Sequence, residues 1–178
     1  MVTQLHELAA TVRNVPDFPK KGIVFRDITT LLKDPEAFKK ANDILFNRYR
    51  NSRIDKVVGV ESRGFIFGSS LALRLGVGFV PIRKSGKLPG PTLREQYLLE
   101  YGTDSIEIHE DAIVKGERVL LHDDLLATGG TIGAAVKLIE HLGGTIVEIA
   151  FLIELKWLDG RQHLKGRDVF SIIQYDAE

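Results

Sequence analysis

Apolar residues along the chain recur at two different spacings, one typical of helices and one typical of buried strands. Leu5, Leu8, Ala9 and Val12 form one helical stripe, which predicts a short amphipathic helix over residues 3–13. Asp34-Pro35 is a helix opening, and apolar positions then recur at helical spacing to about residue 49. Short apolar runs predict buried strands over 56–60, 77–82, 119–121, 145–153 and 169–174.

Strands and helices alternate through most of the chain, which indicates β-α-β units. We therefore expect an α/β protein with a mainly parallel central sheet and flanking helices, formed by residues 1–178 as a single domain. Residues 92–109 break this pattern. Their alternation around Gly102-Thr103-Asp104 predicts a β-ribbon that projects as a mobile lid, about residues 88–109.

Composition narrows the possible functions without choosing one. Apolar residues make up 44% and charged residues 27% of the chain, as in ordinary globular proteins. Lys plus Arg and Asp plus Glu both number 24, so we expect no nucleic-acid partner, and no apolar run has transmembrane length. The absence of cysteine excludes disulfides and thiolate chemistry, and five scattered histidines show no metal-ligand spacing. We expect a cytoplasmic protein with no membrane partner.

The central stretch, residues 118–142, combines a buried strand with a glycine-rich turn and a helix. Asp123 and Asp124 follow the apolar run 119–121, and Thr128-Gly129-Gly130-Thr131 precedes helically spaced apolar residues. Free amides at a helix start favour phosphate, and adjacent glycines allow the backbone to approach a ligand. Two carboxylates suit sugar hydroxyl groups or a cation, so the pattern favours a sugar phosphate as ligand.

Other interpretations of this stretch remain open at this point. An acid pair followed by glycines is often a solvated loop. A nucleotide-triphosphate P-loop is excluded because no Gly-Lys-Ser/Thr follows, and the glycine spacing does not fit the dinucleotide fingerprint.

Four stretches resemble the type I phosphoribosyltransferases, and in this order they resemble its adenine-specific branch. They are residues 16–35 (PDFPKKGIVFRDITTLLKDP), 59–68 (GVESRGFIFG), 81–113 (PIRKSGKLPGPTLREQYLLEYGTDSIEIHEDAI) and 119–131 (VLLHDDLLATGGT). One departure is His122, which stands where the family usually has an apolar residue.

The resemblance implies a function and a set of site residues. The implied reaction transfers ribose 5-phosphate from 5-phosphoribosyl-1-diphosphate (PRPP) to N9 of adenine, giving AMP and diphosphate. It implies Mg²⁺ held mainly by substrate and water, a homodimer, and a hood over the base formed by about residues 1–34. The ribose 5-phosphate would contact Asp123, Asp124, Ala127, Thr128, Gly129, Gly130 and Thr131.

The same resemblance assigns the other two substrate groups. Diphosphate would be bound by Glu61, Ser62, Arg63, Lys84 and Lys87. In the family the peptide that corresponds to Glu61–Ser62 is often cis. Adenine would be bound by Val24, Phe25 and Arg26. Glu100 matches a carboxylate proposed to handle a proton of the base, and Arg63, Asp123 and Asp124 complete the catalytic set. Glu100 could instead form a salt bridge within the β-ribbon. The protein could instead be a phosphoribosyltransferase for another purine base, hypoxanthine or xanthine, or a regulator that senses PRPP without catalysis.

Overall fold

The structure is a computed structural model that describes residues 2–99 and 102–177. Within these residues the α-helices are α1 (Val2–Ala10), α2 (Thr29–Lys33), α3 (Pro35–Tyr49), α4 (Gly64–Leu75) and α5 (Gly130–His141). The strands are β1 (Arg13–Pro16), β2 (Val24–Asp27), β3 (Lys56–Val60), β4 (Gly78–Lys84), β5 (Thr92–Leu99), β6 (Gly102–His109), β7 (Arg118–Leu126), β8 (Thr145–Leu155) and β9 (Val169–Tyr175). Two short 3₁₀ helices, Lys156–Leu158 and Gly160–Leu164, connect β8 to β9.

The main sheet has seven strands in the order β5-β6-β4-β3-β7-β8-β9. Strands β4, β3, β7, β8 and β9 pair in parallel, whereas β6 pairs antiparallel with both β4 and β5. The expected α/β class with a mainly parallel sheet is confirmed. The predicted β-ribbon is present as β5 and β6, and it extends this sheet at one edge.

The sheet carries one apolar cluster on each face, as expected for parallel strands that alternate inward-facing side chains. Val57 belongs to the cluster formed with α1, α3 and α4, and its neighbour Val58 to the cluster formed with α5. The helically spaced residues Ile132, Val136 and Ile139 are all buried in the second cluster. Burial from both sides holds the central strands rigidly, and the site lies at their carboxyl ends.

Local sequence signals explain most element boundaries. The Asp34 carboxylate accepts from the amides of Glu36 and Ala37 at 3.0 and 3.1 Å, and Pro35 occupies the first turn of α3. The αL residue after α5 is Gly143, with φ of +83°. The sequence did not predict α2. It also placed residue 13 in the first helix and predicted no strand before Pro16, although Arg13–Pro16 pair with β2 as an antiparallel two-stranded sheet.

No helix among the described residues is long and apolar enough to cross a membrane.

Candidate active site

The acid pair lies inside strand β7. The sequence placed Asp123 and Asp124 after a strand ending at Leu121, which is wrong, because β7 continues to Leu126. Pairing with β8 extends through this segment and keeps it extended. The two carboxylates are therefore fixed by the sheet and not by a loop.

Burial and mutual repulsion dominate the electrostatics of the acid pair. Only 7% of the Asp124 side chain is exposed, and Asp123 is half-buried. Burial raises the pKa of Asp124, an effect that the nearby Arg63 charge opposes. Burial and the charge of Asp124 raise the pKa of Asp123. A ligand that brings positive charge to this point would stabilise both ionised forms.

The loop after β3 meets the acid pair because β3 and β7 are parallel neighbours, with Gly59 opposite His122. Arg63 lies in this loop, and its Nε is 2.8 Å from a carboxylate oxygen of Asp124. A Cβ at Gly64 would lie 2.8 Å from the carboxylate of Asp123. Glycine at the start of α4 is therefore what allows the helix to approach the acid pair.

Each cation expected near diphosphate already has a carboxylate partner. Besides Arg63, Lys87 lies 3.3 Å from Glu61 and Lys84 lies 3.3 Å from Asp104. The Glu61 carboxylate also accepts hydrogen bonds from Nε and Nη2 of Arg83 and from the backbone amide of Lys84. Although burial raises the pKa of Glu61, these partners hold it below its usual range.

The peptide between Glu61 and Ser62 is cis, as the resemblance implied. Arg83 was not predicted as a site residue, although it belongs to the same charged stretch of sequence as Lys84 and Lys87. Arg83 stands at the end of β4, the strand that pairs with β3, and this position was the signal that could have identified it as a site residue.

The glycine turn joins β7 to α5 and is packed from behind. Gly129 has φ of +88° and is the N-cap residue of α5, and as a glycine it offers the first amides of the helix no capping side chain. Thr128 is exposed, while Ala127, Gly130 and Thr131 are half-buried. A Cβ at Gly129 would lie 2.4 Å from the carbonyl oxygen of Gly160. Gly160 was also missed, although the Asp159-Gly160 dipeptide is a turn signal.

Strand β2 brings Phe25 against Arg63, the partner of Asp124, whereas the Arg26 side chain contacts Asn14 and Tyr175. The Phe25 ring lies 5.2 Å from the Arg63 guanidinium and packs edge-on against Phe18, also at 5.2 Å. Arg26 is buried, donates to Asn14, and stacks 4.2 Å over the ring of Tyr175. Val24 is half-buried on the same strand.

The ribbon contacts the glycine turn through Tyr97. Burial raises the pKa of Tyr97, and hydrogen bonding to Thr131 opposes the rise. The Tyr97 hydroxyl also donates to Asp104 at 3.2 Å. Glu100 lies outside the described residues, so its expected contact with the base stays a prediction.

His122 is buried within β7 and packs at 6.3 Å from the ring of Phe67. Among the described residues neither of its ring nitrogens has a hydrogen-bond partner. Burial lowers its pKa to about 4, with an opposing effect from the backbone of Ala150. The interpretation of His122 as a polar residue satisfied inside the sheet end stays a prediction, because the backbone of Ala150 interacts with its ring.

The arrangement joins three kinds of surface at one end of the sheet: an acid pair, a glycine turn at a helix start, and a cluster of paired cations. In the parts of the chain that the structure describes, no group of three or more histidine or carboxylate side chains could hold a metal ion.

The phosphoribosyl transferase domain family matches residues 27–176 of this chain. The chain is 59% identical over 169 residues to the adenine phosphoribosyltransferase of Chloroflexus aurantiacus, covering 95% of this chain and 98% of the relative. It is 57% identical over 171 residues to that of Geobacter metallireducens, covering 96% and 100%.

Solved structures give the same result. The chain is similar to the crystal structure of adenine phosphoribosyltransferase from Thermoanaerobacter pseudethanolicus, with a TM-score of 0.92, 55% identity and coverage of 96% and 99%. The enzyme from Saccharomyces cerevisiae, complexed with D-2,5-dideoxy-2,5-imino-altritol 1,6-bisphosphate and adenine, has a TM-score of 0.91 and 42% identity, with coverage of 97% and 100%.

Proposed function

Because the chain belongs to the phosphoribosyl transferase family and to its adenine phosphoribosyltransferases, it makes AMP from adenine and PRPP in purine salvage, and we propose which of its residues bind each substrate group. The reaction breaks the bond from C1 of the ribose to diphosphate and forms a bond from C1 to N9 of adenine. The observation that carries the proposal is an acid pair near the end of β7 that three residues separate from the turn Thr128-Gly129-Gly130-Thr131, where α5 begins.

The ribose 5-phosphate lies along β7. Asp123 and Asp124 accept hydrogen bonds from the ribose hydroxyl groups, and the 5-phosphate lies against the amides of residues 127–131. Thr128 and Thr131 add hydroxyl donors. Since these groups stand on one strand and the helix that follows it, the sugar is held with its C1 in a fixed position, which lowers the entropic cost of attack.

The diphosphate is bound by residues after β3 and β4. Arg63, Lys84 and Lys87 turn from their carboxylate partners to the diphosphate oxygens, and the backbone of Glu61 and Ser62 contributes on the same side. As the bond to C1 breaks, negative charge grows on the leaving group, and these cations stabilise it. Arg83 keeps Glu61 paired while the lysines move.

Mg²⁺ fits this site as an ion bound to substrate. The described residues include no cage of protein ligands, whereas Asp123 and Asp124 are carboxylates whose pKa values a nearby cation would lower. When bound, the metal neutralises diphosphate charge and favours its departure. Asp123 and Asp124 hold the ribose hydroxyl groups, and the negative charge of the two carboxylates favours the positive charge that develops on the ribose ring.

Adenine enters beneath the hood, about residues 1–34. Phe25 covers the ring, and backbone groups of Val24 and Arg26 pair with the N1 acceptor and the N6 donor. Hypoxanthine reverses this pattern and would leave buried polar groups unpaired, at a cost of about 1–3 kcal/mol each. The relatives' names also favour adenine over hypoxanthine or xanthine. Glu100 handles a proton of the base.

The remaining parts of the proposal concern the whole molecule. Residues 1–178 act as one domain, the ribbon at about 88–109 is a lid that excludes water from the electron-poor ribose, and two copies form a homodimer in the cytoplasm. Light scattering of the purified protein measures the dimer, and fractionation of cells tests the location.

The deciding experiment measures AMP formation from adenine and PRPP with and without Mg²⁺. We expect turnover that depends on the metal, with hypoxanthine and xanthine at least about 10-fold poorer, the ratio for one unpaired buried group. Binding of PRPP without AMP formation would instead indicate a regulator. Equal turnover of all three bases would contradict the assigned roles of Val24 and Arg26.

A further inference from the structure

Strand β8 ends in an ion pair between a buried carboxylate, Glu154, and a half-exposed arginine, Arg161, and the reaction described above does not use it. Glu154 is 3% exposed, and the Nε and Nη2 atoms of Arg161 donate to its two oxygens at 2.6 and 2.8 Å. The hydroxyl of Ser171 on β9 donates to the same carboxylate. The first cause of the lowered Glu154 pKa is the hydrogen bonding from Arg161. Both acceptor oxygens are thus occupied, and the guanidinium has one fixed orientation.

This ion pair closes a short loop around the Asp159-Gly160 turn. Asp159 has φ of +52°, and its carboxylate accepts from Gln162, one residue after Arg161. Arg161 also donates to the carbonyl of Val169 at 3.3 Å, so the loop is tied to both β8 and β9.

The Asp159-Gly160 turn packs directly against the glycine turn, residues 127–131. A Cβ on Gly160 would lie 2.2 Å from the carbonyl oxygen of Ala127, and a Cβ on Gly129 would lie 2.4 Å from the carbonyl oxygen of Gly160. No real Cβ atom tolerates such distances to backbone atoms, so the two segments meet backbone to backbone. A displacement of residues 159–160 therefore displaces residues 127–129.

We propose that Glu154 and Arg161 are positioning residues for the 5-phosphate: their ion pair fixes the turn at Gly160, and the turn fixes the amides that the phosphate meets. The inference rests on the proposed assignment of the phosphate to residues 127–131. Neither side chain touches substrate. Their contribution is preorganisation, because a glycine-rich segment without this packing would adopt several conformations and lose affinity on ordering.

The chain offers a matched control six residues earlier on the same strand. Glu148 accepts from Nε and Nη2 of Arg48 at 2.6 and 2.5 Å and from the hydroxyl of Tyr49. Both ion pairs thus join a β8 glutamate to a bidentate arginine and a hydroxyl. Glu148 pairs with Leu120 in the sheet, three residues before the acid pair begins. The Arg48–Glu148 ion pair therefore does not support the segment that packs against the glycine turn.

The test compares Arg161→Lys and Gly160→Ala with Arg48→Lys. Lysine keeps the charge but loses the fork that grips both oxygens. Calorimetry measures the affinity of each variant for ribose 5-phosphate and, separately, for inorganic diphosphate with Mg²⁺. We expect Arg161→Lys and Gly160→Ala to weaken ribose 5-phosphate binding by about 10-fold or more, as for a misplaced binding group, and to leave diphosphate binding within about twofold. Arg48→Lys should change neither affinity.

Three results would overturn the inference. They are unchanged ribose 5-phosphate affinity in a folded Arg161→Lys variant, equal losses for both ligands, or the same loss in Arg48→Lys. If Gly160→Ala does not fold, the milder Arg161→Lys decides. A wild-type protein that binds no ribose 5-phosphate and forms no AMP would overturn the proposed function itself, whereas wild-type binding that Arg161→Lys leaves intact overturns only the positioning role.

Discussion

Replacing Asp124 with asparagine should abolish most activity and at the same time stabilise the ligand-free protein. The activity loss follows from removing a charge that faces the developing positive ribose, a change worth about 100-fold or more in turnover. The gain in stability follows from removing a negative charge that is buried and lies next to a second carboxylate.

The size of the stability change follows from two opposing contributions. Relieving an imperfectly compensated buried polar group gains about 1–3 kcal/mol. The lost ion pair with Arg63 costs at most about 1 kcal/mol, since that side chain is 36% exposed and stays solvated. A net gain of about 1–2 kcal/mol raises the melting temperature by about 2–8 °C in a chain of this length.

The pH dependence has a definite sign. Burial raises the pKa of Asp124 above its ordinary value of 3.8, so the folded wild type takes up a proton more readily than the unfolded chain. Wild-type stability therefore falls as pH rises through the window between the ordinary and the raised value, whereas asparagine does not titrate. The stability that Asp124→Asn gains over the wild type should reach its full size above the raised pKa of Asp124 and vanish below about pH 3.8.

The assay pairs melting curves at several pH values with AMP formation at neutral pH. Asp176→Asn is the control, because that side chain is 81% exposed and its partner Lys156 lies on the surface. The control should leave both measurements unchanged. A variant that melts lower than the wild type at neutral pH, or an advantage that grows on acidification, would refute the reasoning about burial; near-normal turnover would remove Asp124 from the mechanism.

Three further substitutions test other parts of the site. Thr131→Val should raise the KM for PRPP by about 10-fold, the value of one hydrogen bond to a charged group, and leave the KM for adenine within twofold; unchanged donor kinetics would contradict the phosphate assignment. Lys87→Met should weaken diphosphate binding at low salt and matter less as salt screens the exposed charge, which a salt titration measures. His122→Val should leave kinetics within about twofold and stabilise the protein by about 1–3 kcal/mol, because a buried ring whose nitrogens make no hydrogen bond of good geometry among the described residues disappears. The lowered pKa of His122, about 4, makes the folded wild type lose stability on acidification, so the gain should increase as pH falls from 7 towards 4.

Periodicity identified the elements that bury a continuous apolar face. The runs at 56–60 and 145–153 became central strands, and the spacing of Ile132, Val136 and Ile139 became the buried face of α5. Asp34-Pro35 located the start of α3 because capping is a local interaction. These features depend on neighbours within a few residues, which is why one sequence suffices to predict them.

Features that depend on distant partners were harder to predict. Strand β7 continues through two aspartates because β8 pairs with it there, and aspartate alone disfavours strands. The short strand β1 is ordered by pairing with β2, which begins eight residues after β1 ends. The Glu154–Arg161 ion pair and the contact between Gly129 and Gly160 join segments whose proximity only the fold determines.

The charged side chains of the site are paired with one another, and this pairing bears on the proposed chemistry. Arg63 pairs with Asp124, Lys87 with Glu61, and Lys84 with Asp104. The side chains of Lys84 and Lys87 are more than half exposed, so each of these two pairs is worth about 0–1 kcal/mol and a diphosphate can displace it at small cost. Moving Arg63 costs more, because it leaves the buried charge of Asp124 without its partner. Under the proposed roles, the transfer of Arg63 to diphosphate removes the positive charge closest to Asp124. The carboxylate then faces the ribose without its partner, and its field is strongest when C1 becomes positive. Binding of the leaving group thus prepares the acid pair for the step that follows.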